Sequence, residues 1–324
     1  MNDFCKNYKL DMKFHYTTYG LSIFSDIELP ALLKCNTKDS EQPISVWLGD
    51  VPHQLVSSPM VEKPFTVYNA EEWLYRIPNV ANYYVRNGSE VIIEPLSENW
   101  NEILLYFYAN CLAAILFQRN LIPLHVSGVF IDKNRVLLFA APSRTGKSTT
   151  SVMLQQRGYP LFTDDTAVLS IENGKCFAQS SYPMIRLWQN TIDVQQVLDE
   201  STKLDLSSDA ELDKYGFMFH QNFVTSKVEV AGIVFLDAEG VEISIHSIKP
   251  NAAIQLLGNN IYRKQWLNGM KKQVLQFKHL TGIINAIPVW KAIRPKTEST
   301  FESFAESIEE QIINLLNNNN VVAQ

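Results

Sequence analysis

Cysteine is scarce in this 324-residue chain: Cys5, Cys35, Cys111 and Cys176 lie far apart, with no paired spacing. That excludes a disulfide scaffold and a cysteine-based zinc site, and it points to free thiols in a reducing compartment. Runs of positive charge are missing too. Nothing longer than Lys271-Lys272 occurs and the formal net charge is −6, so a nucleic-acid surface is not expected. The longest apolar run, Ile103 to Phe117, contains Asn110 and reads as too short to span a bilayer. The opening residues, Met1 to Lys6, lack the basic-then-apolar order of a signal peptide. A cytoplasmic protein with no membrane partner is the expectation.

What is present is a globular composition, with apolar residues at 46% and charged residues at 19%. Residues 10 to about 96 read as β-rich, with alternating or apolar segments such as Ile44-Ser-Val-Trp-Leu and Val91-Ile-Ile-Glu. Asn87-Gly88 is a hairpin signal, and so is Asn173-Gly174 further on. A helix is predicted from Asn99, with Glu102 completing a capping-box-like pair, to about Arg119. It is apolar nearly all round and should be buried between the β-rich part and the core downstream of it. Helices are also predicted near 251–266, 270–285 and 299–316, and the tail Asn317 to Asn320 is expected to fray. The polar stretch 190–228 reads as a mobile segment near a substrate.

The most informative stretch is Phe139-Ala-Ala-Pro-Ser-Arg-Thr-Gly-Lys-Ser-Thr149. It matches a phosphate-binding loop, G-x-x-x-x-G-K-[ST], except that Ala141 stands where the first glycine belongs. A buried strand, 136–141, precedes it, and a helix from about Gly146 to Arg157 comes after it, stopping at Gly158. Backbone amides of Ser143, Arg144, Thr145, Gly146, Lys147, Ser148 and Thr149 would face a polyphosphate at the positive end of that helix. Lys147 would put a point charge on the phosphates, and Ser148 would be a Mg²⁺ ligand. Arg144 stands where the loop turns tightly and glycine is usual, and Pro142 removes one amide donor. ATP and Mg²⁺ are the cofactors this pattern calls for.

Beyond Gly158 the chain resumes as a strand at Leu161-Phe162 and ends it with Asp164-Asp165. Strand, helix and strand with short links make a right-handed crossover, so the second strand should run parallel to the first and bring both carboxylates to the mouth of the loop. Adjacent carboxylates repel unless a metal ion or a proton separates them. One can hold Mg²⁺, and the other can take a proton from an attacking hydroxyl. A turn-forming Asp-Asp at a strand end is the alternative reading.

Here the chain resembles the HPr kinase/phosphorylase superfamily, whose catalytic domain shares its loop architecture with PEP carboxykinase. The resemblance is carried by 135–148, by Gln156-Arg-Gly-Tyr-Pro160 and by Thr163-Asp164-Asp165. It extends upstream through Gln118 to Gly128 and downstream through Tyr182 to Trp188. It implies an α/β fold, α+β at the N-terminus: a P-loop kinase core with a β-rich N-terminal part, 1–97, and a catalytic domain with C-terminal helices, 98–324. It further implies Asp165 as base and acid for a seryl hydroxyl and Asp164 as metal-assisting. Arg263 lies in the helical region where related kinases offer an arginine to the transferring group; a solvated helix arginine is the alternative. Arg186, in the Arg-Leu-Trp segment, reads as a phosphate contact or a brace for the metal site. Ser127 stands where the enzymes acting on HPr carry a histidine, and Thr149 stands where they carry a glutamate, so HPr itself is not expected as the acceptor. His125, two residues earlier, reads either as a phosphate contact or as a strand histidine satisfied by a backbone carbonyl. The chain is more similar to the HPr kinase-like proteins of ribosomal-peptide and lasso-peptide biosynthesis. That implies a peptide or protein partner offering a seryl hydroxyl, with a homo-oligomer left open. A free-serine kinase and a non-catalytic, nucleotide-binding peptide presenter are the rivals.

Overall fold

Short alternating strands cannot bury a face alone, and in the computed structural model residues 14–95 meet that need by pairing into a nine-stranded sheet. The structure describes residues 12–35, 42–188, 203–204, 214–219, 223–296 and 300–321. Across the first sheet the strands run Leu33–Lys34, Phe14–Thr18, Leu21–Ser25, Ile44–Leu48, Glu90–Pro95, Ala81–Arg86, Glu72–Ile77, Thr66–Tyr68 and Val61–Lys63. The predicted hairpin is there: Asn87 and Gly88 take φ of 54° and 62° between two antiparallel strands.

A continuous helical segment, Trp100–Gln118, leaves this sheet, with a π-helical stretch at Phe107–Cys111. Asn99 caps it by accepting from the Glu102 amide, the first half of the predicted pair, while the Asn99 amide itself donates to Ser97 Oγ. At 19 residues it is long and apolar enough to cross a membrane, which corrects the shorter estimate from the sequence, but 67% of its most apolar stretch is buried within the protein. The Tyr83 hydroxyl of the first sheet donates to the Ile103 carbonyl of the helix. Trp266, from the C-terminal part, meets both Trp73 of the sheet and Phe117 of the helix, with ring centroids 5.2 and 6.2 Å apart. Truncating one buried aromatic to alanine costs roughly 3–5 kcal/mol, so this three-way contact ties the first sheet firmly to the rest.

The second sheet is mixed. Its order is Pro123–Leu124, Ala167–Glu172, Lys175–Ser180, Val228–Asp237, Arg135–Ala140, Val126–Phe130 and Leu161–Thr163. Val289–Ile293, a strand that sequence pattern did not reveal, adds parallel to Val228–Asp237 and carries Ser244–Ser247 on its other side. Arg135–Ala140 and Leu161–Thr163 are both antiparallel to Val126–Phe130, so they run in the same direction, but that third strand lies between them. The simple crossover is therefore split. Gly128 makes the insertion possible at a register shift, because a Cβ there would lie 2.9 Å from the Leu137 carbonyl oxygen.

The helix Lys147–Gln156 covers one face of this sheet, and its Val152 and Leu154 share a core with Leu137, Phe139, Phe304 and Ile308. Arg157 and Tyr159 both hydrogen-bond to Glu309, pinning the C-terminal helical segment to the end of that helix. That segment continues as helix through Val321. The predicted helix 251–266 ends at Asn259, because Ile261 bridges to Leu124 and Arg263 turns left-handed. Much of 190–228 lies outside the described residues; within it, Lys214–Met218 pairs with Met184–Trp188 and Lys203–Leu204 in a small third sheet.

Candidate active site

The strand Arg135–Ala140 is interior to the second sheet, and its residues Val136 to Ala140 are fully buried. That rigid base launches the loop 141–146 and then the helix. Gly146 caps the helix at φ 107° and ψ 21°, and the Thr150 amide closes the first helical bond to its carbonyl at 2.8 Å. A Cβ at Gly146 would meet the Phe301 ring at 2.8 Å, so glycine is required on two counts. Arg144 is left-handed at φ 66°, the conformation in which glycine is the usual occupant. It costs about 1–2 kcal/mol, which the loop anchors must offset. Ala141 is not among the positive-φ residues, so the missing first glycine costs nothing in backbone strain.

Lys147 is 7% exposed, and its Nζ donates to the carbonyls of Ala141 at 2.8 Å and Pro142 at 3.4 Å. The lysine thus curls back along the loop and caps the strand end. Ala141 is buried, Pro142, Ser143 and Arg144 lie toward solvent, and Thr149 is half-buried. Arg294, at the carboxyl end of Val289–Ile293, joins the loop from far along the chain. Its guanidinium sits 3.8 Å from the Phe301 ring centroid and donates to the Thr145 carbonyl at 3.3 Å. Burial pushes its pKa down from the ordinary arginine value. Nothing in the local spacing marks Arg294 or Phe301; the sheet order brings the first to the loop, and the packing of the helix Phe301–Ile308 against the loop helix brings the second.

Leu161–Thr163 delivers the two aspartates to the start of the loop helix. Asp164 is 3% exposed, with Oδ1 accepting from Ser148 Oγ at 2.8 Å and Oδ2 accepting from the Arg186 amide at 3.0 Å. Arg186 therefore touches this carboxylate through its backbone. Asp165 is left-handed at φ 69°, with its side chain 23% exposed. His125 Nδ1 donates to the Asp165 carbonyl at 2.8 Å and lies 3.5 Å from Oδ1 of the same residue.

Three tyrosines lie near Asp165, Tyr19 and Tyr182 buried and Tyr262 half-buried. Burial first, and then the Asp165 charge, raises Tyr182 well above its ordinary value and pushes Tyr262 up to about 12. Burial likewise raises Tyr19, against a hydrogen bond from Thr166, with the Asp165 charge adding to the rise. All three stay neutral hydroxyls at physiological pH. Arg263 sits on the left-handed turn before Lys264–Trp266 at φ 55°, which corrects its expected helical setting. Its Nε donates to the Ala109 carbonyl at 3.4 Å and its guanidinium lies 5.0 Å from the Tyr262 ring centroid. Its charge reaches Tyr262, as does that of Arg186.

Lys147, Ser148, Asp164, Asp165 and His125 are thus gathered at one end of the sheet, while Arg263 reaches the group through Tyr262. A groove of about 730 Å³ elsewhere, over the edge of the first sheet, is lined by residues such as Leu55, Val67 and Arg76 and includes none of them. Among the described residues, no group of three or more His, Cys, Asp or Glu side chains is placed to hold a metal ion.

No family model matches the chain, and no curated protein matches it. Among solved structures it is similar to the HPr(Ser) kinase/phosphatase from Coxiella burnetii, at 14% identity, over 60% of this chain and 97% of that one. The TM-score is 0.32, too slight a likeness to carry a conclusion. Function rests on the residues of the site.

Proposed function

We propose that this chain is a kinase that transfers the γ-phosphoryl group of ATP, with Mg²⁺, to a seryl hydroxyl of a peptide or protein. The observation that supports it most is the 2.8 Å contact between Ser148 and Asp164, which joins the loop helix to the acidic pair. Two motifs separated by a helix in the sequence become one constellation. The donor set suits Mg²⁺, which takes hard oxygen ligands, often only one or two of them from protein, and keeps water and phosphate oxygens for the rest. Ser148 and Asp164 would supply those protein oxygens. ATP brings the transferable phosphoryl group, and Mg²⁺ brings the counter-charge.

The other roles belong to the chain's own side chains. The amides of 143–149 and Lys147 bind and orient phosphate, Lys147 exchanging its two carbonyl partners for a phosphate oxygen. Asp165 receives the proton from the acceptor hydroxyl as its oxygen bonds to the γ-phosphorus, and the bond to the β,γ-bridging oxygen breaks to release ADP. His125 holds the backbone of Asp165, and Arg263 adds positive charge through the Tyr262 side of the site. In this reading 98–324 is the catalytic domain and 1–97 its β-rich companion, working where ATP is supplied, in the cytoplasm. A precursor peptide of ribosomal or lasso type fits as acceptor by the sequence resemblance alone.

The test is phosphate transfer from γ-labelled ATP to a panel of seryl peptides and to free serine. Label is expected on peptide. Asp165→Asn is expected to lower kcat by about 10²–10⁴-fold, the usual contribution of a general base, with ATP affinity nearly unchanged. Wild type that binds ATP and labels no acceptor would leave a nucleotide-binding presenter as the better reading.

A further inference from the structure

A turn of the first sheet reaches into the acidic pair of the second. Phe14–Thr18 and Leu21–Ser25 pair so that Thr18 faces Leu21, leaving Tyr19 and Gly20 as a two-residue connection. Both are left-handed, at φ 50° and 67°, as a tight hairpin of this kind demands. Gly20 lies so close to the Gln179 amide that a Cβ would overlap it. The turn then makes three hydrogen bonds outside its own sheet. The Tyr19 amide donates to the Ser180 carbonyl at 3.1 Å, and Thr18 Oγ1 donates to the Ser181 carbonyl at 2.5 Å. The Tyr19 hydroxyl meets Thr166 Oγ1 at 2.5 Å.

Thr166 is the residue after Asp165. Its amide donates to the Asp164 carbonyl at 2.9 Å, and its carbonyl accepts from Thr163 Oγ1 at 2.9 Å. Ser181 Oγ donates to the Asp164 carbonyl at 3.4 Å. Thr18, Tyr19, Thr163, Thr166 and Ser181 are all buried. Asp165 alone in this knot keeps a partly open side chain, and it holds a left-handed conformation that costs free energy unless its neighbours fix it. Those neighbours are Asp164 and Thr166, and the second of them is gripped by Tyr19. A polar network satisfied on this scale specifies one geometry.

We propose that Tyr19 is a positioning residue: its hydroxyl, through Thr166, holds the Asp165 turn so that the carboxylate meets the acceptor in one orientation. The first sheet is then part of the acceptor side of the site, although it lies more than a hundred residues upstream. The effect on turnover rests on the phosphotransfer proposed above; the effect on the turn does not.

The experiment uses the full chain with Tyr19→Phe, Thr166→Val, Thr166→Ser and the Tyr19→Phe/Thr166→Val double variant. Four quantities are read: kcat with a seryl peptide, the Kd for Mg-ATP, the Tm, and the imidazole NMR signals of His125, which bonds directly to the Asp165 carbonyl. Misplacing a reacting group by a fraction of an ångström to about 1 Å is expected to lower kcat by about ten- to a hundredfold in Tyr19→Phe and Thr166→Val, with the Kd within about twofold. Thr166→Ser keeps the hydroxyl and should retain kcat. The double variant should be no worse than the single ones, because all three break one link. The His125 signals should move in Tyr19→Phe. Unmoved His125 signals, or a kcat that stays at wild type while only Tm falls, would overturn the proposal. Moved His125 signals in a protein that phosphorylates nothing would uphold the positioning link and overturn the kinase reading instead.

Discussion

Glu72 in the first sheet and Asp164 in the second are both nearly sealed carboxylates, 5% and 3% exposed, and they do different work. Glu72 accepts from the amides of Val56 and Ser57, from Asn69 and from the Tyr84 hydroxyl. Those donors clamp the 56–57 segment to the sheet. Asp164 accepts from the Arg186 amide and from Ser148, which opens a helix at a glycine-capped loop. Burial and hydrogen bonding are therefore not what sets the candidate-site carboxylate apart. The neighbours mark it: Lys147 on the same loop, Asp165 held left-handed beside it, and the carboxyl ends of two codirectional strands.

The sharpest break of that comparison is Lys147→Ala. Titration calorimetry with Mg-ATP should show affinity down at least about tenfold, which corresponds to roughly 1.4 kcal/mol for a lost charged contact. Unchanged affinity would remove the loop from the site. A smaller effect is expected from Asp164→Asn. ATP binding should lose its dependence on Mg²⁺, seen as an affinity difference with and without the metal that falls to within about threefold. A retained metal dependence would move Asp164 into the same class as Glu72.

Glu72→Gln should do the opposite, leaving nucleotide affinity alone and costing stability of about 1–3 kcal/mol at neutral pH, read from denaturant unfolding. Its pH dependence comes from the shift. Burial by itself would raise the Glu72 carboxyl, but the Tyr84, Val56, Ser57 and Asn69 donors outweigh it and hold the pKa below the ordinary 4.5. The stabilisation is complete above that ordinary value and is lost as pH falls through the lowered folded value. The gap between wild type and Glu72→Gln should therefore narrow as the pH drops below about 4.5. A gap that stays constant into acid would show that the clamp does not depend on charge.

Much of this is legible in the residues, for local reasons. The loop at 141–147 reads from seven consecutive positions because strand, turn and helix there are set by nearest neighbours. Asn87-Gly88 and Asn173-Gly174 announce their turns by backbone preference, and Asn99 its cap by a side-chain oxygen that reaches the Glu102 amide. The setting of Arg263 does not read correctly, because helical pattern carries no sign of the Ile261–Leu124 bridge that stops the helix. Arg294, Phe301, Tyr19 and Tyr262 leave no local mark, since each reaches the site from a different part of the chain.

By itself the sequence determined the elements that depend on neighbours a few residues apart: the strand-loop-helix, the paired aspartates, the long apolar helix and the β-rich beginning. Only the tertiary structure decided that Val126–Phe130 slips between the two site strands, that Ser148 meets Asp164, and that Tyr19 touches Thr166. The physical reason is range. Backbone preference acts over one turn or one hairpin, whereas which buried hydroxyl answers which carbonyl is settled when two sheets pack together.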